Sequence, residues 1–148
     1  MDLAALPAFY SALVPFATTI GTEYAEITAD RVALRMPDAT ALHNHLGGPH
    51  AGAMFTLGET ASGLVVLVNF GDHMATVTAL PGSAEIRYKS VAKGAVTATA
   101  LMPRAADEVL AEVDRDGRSA LDVPVTLTTA DGTVTGEMTV HWSLRRTP

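Results

Sequence analysis

The feature that most constrains this chain is the stretch Ala51 to Phe70, AGAMFTLGETASGLVVLVNF, in which apolar and small side chains fill nearly every position. Strands of ordinary length cannot cover it, so it predicts a helix. Its apolar residues fall nearly all round the helix rather than in one stripe, the pattern of a helix surrounded by protein. The longest unbroken apolar run inside it, Leu64 to Val68, is far short of the roughly 20 residues a bilayer span requires. A core helix is therefore expected, and no membrane association.

The sequence on either side alternates. From Thr22 to Met36 two short runs flank Ala29-Asp30, with Val32, Leu34 and Met36 set against Arg31, Ala33 and Arg35, a plausible hairpin. Met74 to Met102 alternates again, Ala84, Ile86 and Tyr88 against Glu85, Arg87 and Lys89, with Lys93-Gly94 as a turn before Ala95 to Leu101. Farther on, Val123, Val125 and Leu127 lead through a turn at Asp131-Gly132 into alternation from Val134 to Leu144. Leu3 to Ile20 carries apolar residues at helical spacing but also Pro7 and Pro15, so a short, broken helix is expected. A second short, amphipathic helix is expected at Ala105 to Val113. With about six mostly antiparallel strands and one buried helix, the reading is an α+β fold whose helix lies on a curved sheet. No linker composition or repeat divides the chain, and residues 1–148 read as one domain.

Composition excludes several classes of function. With no cysteine there is no disulfide, thiolate nucleophile or cysteine-bound metal, and a reducing cytoplasm suits such a chain. A net charge of −6 argues against general nucleic-acid binding, which needs a basic face to neutralise phosphates. No lysine or arginine precedes Arg31, so the apolar start lacks the positive region of a secretory signal, and a cytoplasmic protein is expected. His43, His45 and His50 do not have a recognised metal-ligand spacing, and no nearby carboxylate completes a set, so no metal is expected. The acidic run from Asp107 to Asp116 reads as a solvated helix face.

Glu59 stands out because it is the only formally charged side chain between Asp38 and Asp72, in the middle of the helix read as buried. An unpaired charge in such a place is costly, so the group is paired, protonated or retained for function. From position alone, an outward-turned or core-bonding role is equally open. The loop upstream is Asn44-His45-Leu46-Gly47-Gly48-Pro49-His50-Ala51-Gly52, whose Gly and Pro shape a turn into the helix. The first amides of that helix have no intrahelical partner, and with the positive end of the dipole they suit an oxyanion such as a polarised thioester carbonyl. Asn44 and His50 bring side-chain donors to the same end, where each could equally serve as a cap or a satisfied loop residue. Glu59 lies eight residues beyond Ala51, about 12 Å along the axis. One chain cannot bring both to one carbonyl, so a shared site requires a homodimer with two such helices antiparallel about a two-fold axis.

The stretch Asn44 to Gly63 resembles the signature of hot-dog-fold acyl-CoA thioesterases, in particular the phenylacetyl-CoA (PaaI-like) branch of the 4-hydroxybenzoyl-CoA thioesterase superfamily. That signature places His-Gly-Gly after Asn and five intervening residues, and an acidic residue nine positions beyond the His. The Asn-to-His spacing, the His, the second Gly and Glu59 match, and Ala51 replaces the first Gly. The segment Ile86 to Gly94 resembles the family's strand and turn before its next long strand. The resemblance implies a hot-dog fold, an antiparallel sheet wrapped around one long helix, assembled as dimers or dimers of dimers. It also implies hydrolysis of acyl-CoA at the dimer interface without a cofactor. Carried over, Glu59 is the general base or nucleophile, the amide of Ala51 with Gly52 beside it forms the oxyanion site, and His50 and Asn44 orient the substrate.

Coenzyme A is polyanionic and this protein is acidic, so a local basic patch is needed. Arg87, Lys89 and Lys93 are the candidates, although a half-exposed strand shows the same alternation with no ligand. Phe55 and Thr60 of the helix are candidate substrate contacts. Met54, Leu57, Leu64 and Trp142 could line an acyl pocket, but most of them suit core packing better. Small residues at Gly58, Ala61, Ser62 and Gly63 would let another element approach the helix closely. The competing class is a non-catalytic acyl-CoA or fatty-acyl binding protein, which would bind without turnover and tolerate Glu59→Gln. Hydration of enoyl thioesters ranks last, because the loop offers no acid to pair with its histidines.

Overall fold

A computed structural model describes residues 2–147. Helices α1 (Leu6–Leu13) and α2 (Pro15–Thr18) are separated at Val14, whose φ of −125° and ψ of 74° leave the helical region. A residue before proline is sterically pushed out of that region, so Pro15 breaks the expected helix in two. The hairpin of β1 (Glu23–Ile27) and β2 (Arg31–Met36) follows, then α3 (Ala51–Phe70), β3 (Val77–Tyr88) and β4 (Val96–Leu101). The chain ends with α4 (Ala106–Asp116), β5 (Arg118–Thr129) and β6 (Val134–Arg146). All strand pairs are antiparallel and form one sheet in the order β1-β2-β4-β5-β6-β3.

The sheet packs on α3 chiefly through β2, β4 and β5. Leu57, Leu64 and Val65 of the helix share one fully buried core with Val32, Leu34, Val96, Ala98, Val123 and Leu127. Burying these side chains is the dominant stabilising contribution, about 1.5–3 kcal/mol for each large aliphatic group. Gly58 is where the sheet presses hardest, since a Cβ there would lie 2.7 Å from the Met138 sulfur. The stripe of small residues thus serves intramolecular packing.

Two prolines fall where the sheet can accept them. Pro81 lies in β3, an edge strand, beside a register shift between Pro81 and Ser83. Pro124 lies in β5 beyond the last pairing with β4, which ends at Ala100–Val125. At the C-terminus of α4, Gly117 adopts φ 75° and its N–H reaches the Val113 carbonyl, which ends that helix three residues later than the sequence suggested.

Burial of α3 is less uniform than its composition implies. From Leu57 onward it is almost wholly enclosed, but Ala51, Gly52 and Phe55 are exposed and Thr56 and Glu59 are only partly covered. These residues recur at helical spacing and mark one face that neither the sheet nor α1 closes. Counted by mean hydropathy rather than by unbroken run, Ala51–His73 passes for a membrane span, yet half of that window is buried inside the protein, as befits a core helix.

Candidate active site

Glu59 projects from the middle of α3 into a partly open cavity of about 300 Å³ between that helix, α1 and the start of β3. Its carboxylate has no hydrogen bond or ion pair among the described residues. Burial raises its pKa above the ordinary glutamate value, because taking a carboxylate from water penalises the charged form. Tyr10 reaches the same place from α1. Its hydroxyl donates to the Thr60 carbonyl at 3.4 Å, and burial, with the Glu59 charge next, pushes its pKa well up.

The backbone under Glu59 is fixed by a buried relay. Trp142 Nε1 donates to Ser62 Oγ at 3.1 Å, and Ser62 Oγ donates to the Glu59 carbonyl at 2.7 Å. One strand, β6, therefore holds the turn of α3 that presents the carboxylate.

The other half of the expected constellation lies at the start of the same helix. Asn44 organises the loop: its Nδ2 donates to the Pro49 carbonyl at 3.1 Å, and its Oδ1 accepts from Leu46 N–H at 2.8 Å and Gly48 N–H at 3.4 Å. Both ends of that amide are thus used within the loop. Gly48 passes so close to the next segment that a Cβ would sit 2.5 Å from the Ala92 carbonyl oxygen. His50 is the N-cap, its Nδ1 accepting from Gly52 N–H at 2.9 Å. That contact requires an unprotonated Nδ1, so the neutral ring carries its proton on Nε2. The Gly52 amide is consequently engaged, whereas the Ala51 amide has no partner among the described residues. No non-glycine residue among those described has a positive φ, so alanine fits the helix start without strain.

Tyr88 Oη donates to the Ala51 carbonyl at 2.9 Å and so ties the end of β3 to the first turn of α3. With Asn44, Ala51, Met54 and Lys89 it lines a second cavity of about 370 Å³. The two cavities sit at different levels of one helix, as the eight-residue spacing required.

The remaining candidates are dispersed. Arg87 pairs with Glu85 at 2.9 Å and Lys89 with Glu137 at 2.7 Å, so each strand cation faces a carboxylate. Lys93 is exposed at the following turn. Phe55 is exposed and Thr60 is buried, and neither lines the cavity at Glu59 or the one at the helix start. Leu57 and Leu64 belong to the core, whereas Trp142 does line the Glu59 cavity. Sequence reasoning missed Tyr10, Ser62 and Tyr88. Their partners lie 50, 80 and 37 residues away, beyond any local pattern.

A long helix enclosed by one antiparallel sheet, with a carboxylate exposed to a cavity halfway along it, defines a hot-dog domain. The chain belongs to the family described as a domain of unknown function, DUF4442, which matches residues 4–144. No curated protein sequence matches it. Among solved structures it is similar to a Pseudomonas aeruginosa protein of unknown function described as a "probable thioesterase". The two share 24% identity with a TM-score of 0.89 over 99% of this chain and 97% of that one. A thioesterase family protein from Silicibacter pomeroyi shows 20% identity and a TM-score of 0.74, covering 97% of this chain and 98% of its own. A mutant thioesterase from P. aeruginosa shows 16% identity and a TM-score of 0.79, covering 99% and 96%. At these identities the likeness shows a shared fold.

Proposed function

We propose that the protein hydrolyses acyl thioesters, with coenzyme A as the carrier, at a site shared by two subunits. The observation that carries this reading is the Glu59 carboxylate, half-buried, without a hydrogen bond or ion pair among the described residues, and facing an apolar cavity. A core would not retain such a group for stability, and chemistry gives it a use. The thioesterase descriptions of several structural neighbours and the resemblance of Asn44 to Gly63 to the PaaI-like branch support the same reading.

In the proposed step, Glu59 accepts a proton from water as the oxygen attacks the thioester carbonyl carbon. The carbonyl oxygen becomes an oxyanion against the Ala51 amide at the N-terminus of the partner's α3. Collapse of the tetrahedral adduct re-forms the carbonyl, breaks the C–S bond and releases the thiolate, which takes up a proton. His50, with its proton on Nε2, is a donor at the same helix end. Two uncovered features support pairing of subunits: the exposed face of α3 from Ala51 to Phe55, and the free edge of β3 with Leu80 and Tyr88 exposed. A twelve-residue open edge is a template for strand pairing.

Thiol release from a panel of acyl-CoA esters tests the reaction. The wild-type protein is expected to turn over at least one ester, and Glu59→Gln to lose about 10²–10⁴-fold in kcat, the usual contribution of a general base. Equal rates would reject the role of Glu59. Binding without turnover by the wild type would favour the acyl-binding alternative.

A further inference from the structure

The cavity beside Glu59 has a composition that restricts what can occupy it. Leu13, Val66, Leu67, Phe70, Met74 and Trp142 supply apolar walls, and among the described residues of this subunit Tyr10 and Glu59 are its only ionisable side chains, with no lysine, arginine or histidine lining it. A second carboxylate on the acyl group would be desolvated there beside Glu59, with no lysine, arginine or histidine among the described lining residues to pair with it. An acetyl group would leave most of the roughly 300 Å³ unfilled, and small-molecule sites of this volume bind by burying apolar surface.

Its depth is controlled at one place. Gly63 lies one helical turn beyond Glu59 on the same face. A Cβ at that position would stand 2.9 Å from Tyr10 Oη and 3.5 Å from the Trp142 ring. The missing side chain therefore lets Tyr10 and Trp142 close on the helix without filling the space between Glu59 and Phe70. Tyr10 is held by its bond to the Thr60 carbonyl, and α1 is tied to the sheet by Ser11 and Tyr24, whose hydroxyls are 2.9 Å apart. Helix α1 thus forms one fixed wall of the cavity.

We propose that this cavity is the acyl-tail site, taking an uncharged, apolar acyl group longer than acetyl whose carbonyl lies at Glu59, with Gly63 and Tyr10 setting its depth. The assignment rests on the thioester reading for the identity of the ligand head, and on the cavity alone for the tail. It differs from the sequence expectation, which placed Phe55 and Thr60 at the substrate.

The test has two arms. In the first, wild-type kcat/KM is measured with acetyl-, hexanoyl-, decanoyl- and succinyl-CoA. Hexanoyl- or decanoyl-CoA is expected to exceed acetyl-CoA by at least about tenfold and succinyl-CoA by about a hundredfold or more, in line with the discrimination apolar pockets and unpaired buried charges give. Gly63→Val is expected to lower the ratio of decanoyl to acetyl by about tenfold. Val66→Phe, which fills the same cavity from the next turn, should do likewise and serves if Gly63→Val does not fold. In the second arm, 1-decanol is titrated while the emission of Trp142, the single tryptophan, is followed. A saturable change that Val66→Phe weakens about tenfold supports the site even if no ester is hydrolysed, in which case the hydrolase reading fails and the tail site stands. Turnover with acetyl- or succinyl-CoA preferred, or no response of Trp142 to decanol, overturns the tail site and leaves the hydrolase reading intact.

Discussion

Replacing Ser62 with alanine isolates the relay that fixes the Glu59 turn. Ser62 is fully buried, and its hydroxyl is the acceptor of the Trp142 indole N–H. In Ser62→Ala that N–H loses its partner inside the core, at a cost of about 1–3 kcal/mol. The Glu59 carbonyl loses the Ser62 donor but keeps its ordinary helical partner four residues on, so it adds little. Alanine recovers about 0.5 kcal/mol through its higher helix propensity. Taking the middle of the first range, the net destabilisation is about 1.5 kcal/mol. For a domain of this length that lowers Tm by roughly 3–6 °C. Thermal unfolding followed by circular dichroism measures it, with Trp142 emission as a second probe of the same transition. In a Trp142→Phe background no donor remains to be orphaned, so the same serine replacement should cost far less, and the double-mutant cycle should show coupling of about 1 kcal/mol or more. A melting point unchanged within 1 °C, together with no coupling, would show that the indole does not depend on Ser62 and that the carboxylate is presented some other way.

Other perturbations test separate parts of the structure. Gly48→Ala drives a methyl against the Ala92 carbonyl oxygen and should destabilise the protein by about 1–3 kcal/mol, read as a lower denaturation midpoint. Because burial raises the Glu59 pKa, the acid limb of kcat/KM should lie above the range of an ordinary glutamate, with activity falling as pH drops through it; a limb at or below that range contradicts the desolvation. Glu112 behaves oppositely. Bonded to Arg104 and Ser119, its carboxyl is pulled down to about 2, so the stability it confers is present above the ordinary glutamate pKa and is lost as pH falls toward 2. Melting curves across that window should be flatter for Glu112→Gln than for the wild type.

What could be read in the sequence followed from local periodicity. The helix from Ala51 to Phe70, the turn at Asp131-Gly132 and the isolation of Glu59 all depend on residues close together in the chain, and the structure has them as expected. The alternating stretch read from Met74 to Met102 contains both β3 and β4, with the phase of β3 taken from Ala84, Ile86 and Tyr88. The register shift at Pro81 to Ser83, which that reading did not include, puts Val77 to Leu80 out of phase with Ala84, Ile86 and Tyr88. The uncovered face of α3 was not legible, because Phe55 adds to the helix's hydrophobic content whether or not anything packs on it. Nor could alternation show that Lys89 is matched by a carboxylate, since Glu137 comes from the neighbouring strand. Tyr10, Ser62 and Tyr88 became visible only when the fold brought their distant partners together.

The shared site is tested most directly by hybrid dimers. Ala51→Pro removes one amide donor while keeping the helix start, because proline is tolerated at the first helical position. Glu59→Gln removes the base at the other end. Each variant alone should hydrolyse its best ester at a small fraction of the wild-type rate. Differently tagged copies, co-expressed and purified through both tags, form hybrid dimers in which one of the two sites pairs a native Glu59 with a native Ala51 amide. Those hybrids should recover about half the wild-type activity per dimer. Hybrids no more active than the two parents would contradict a site built from both subunits.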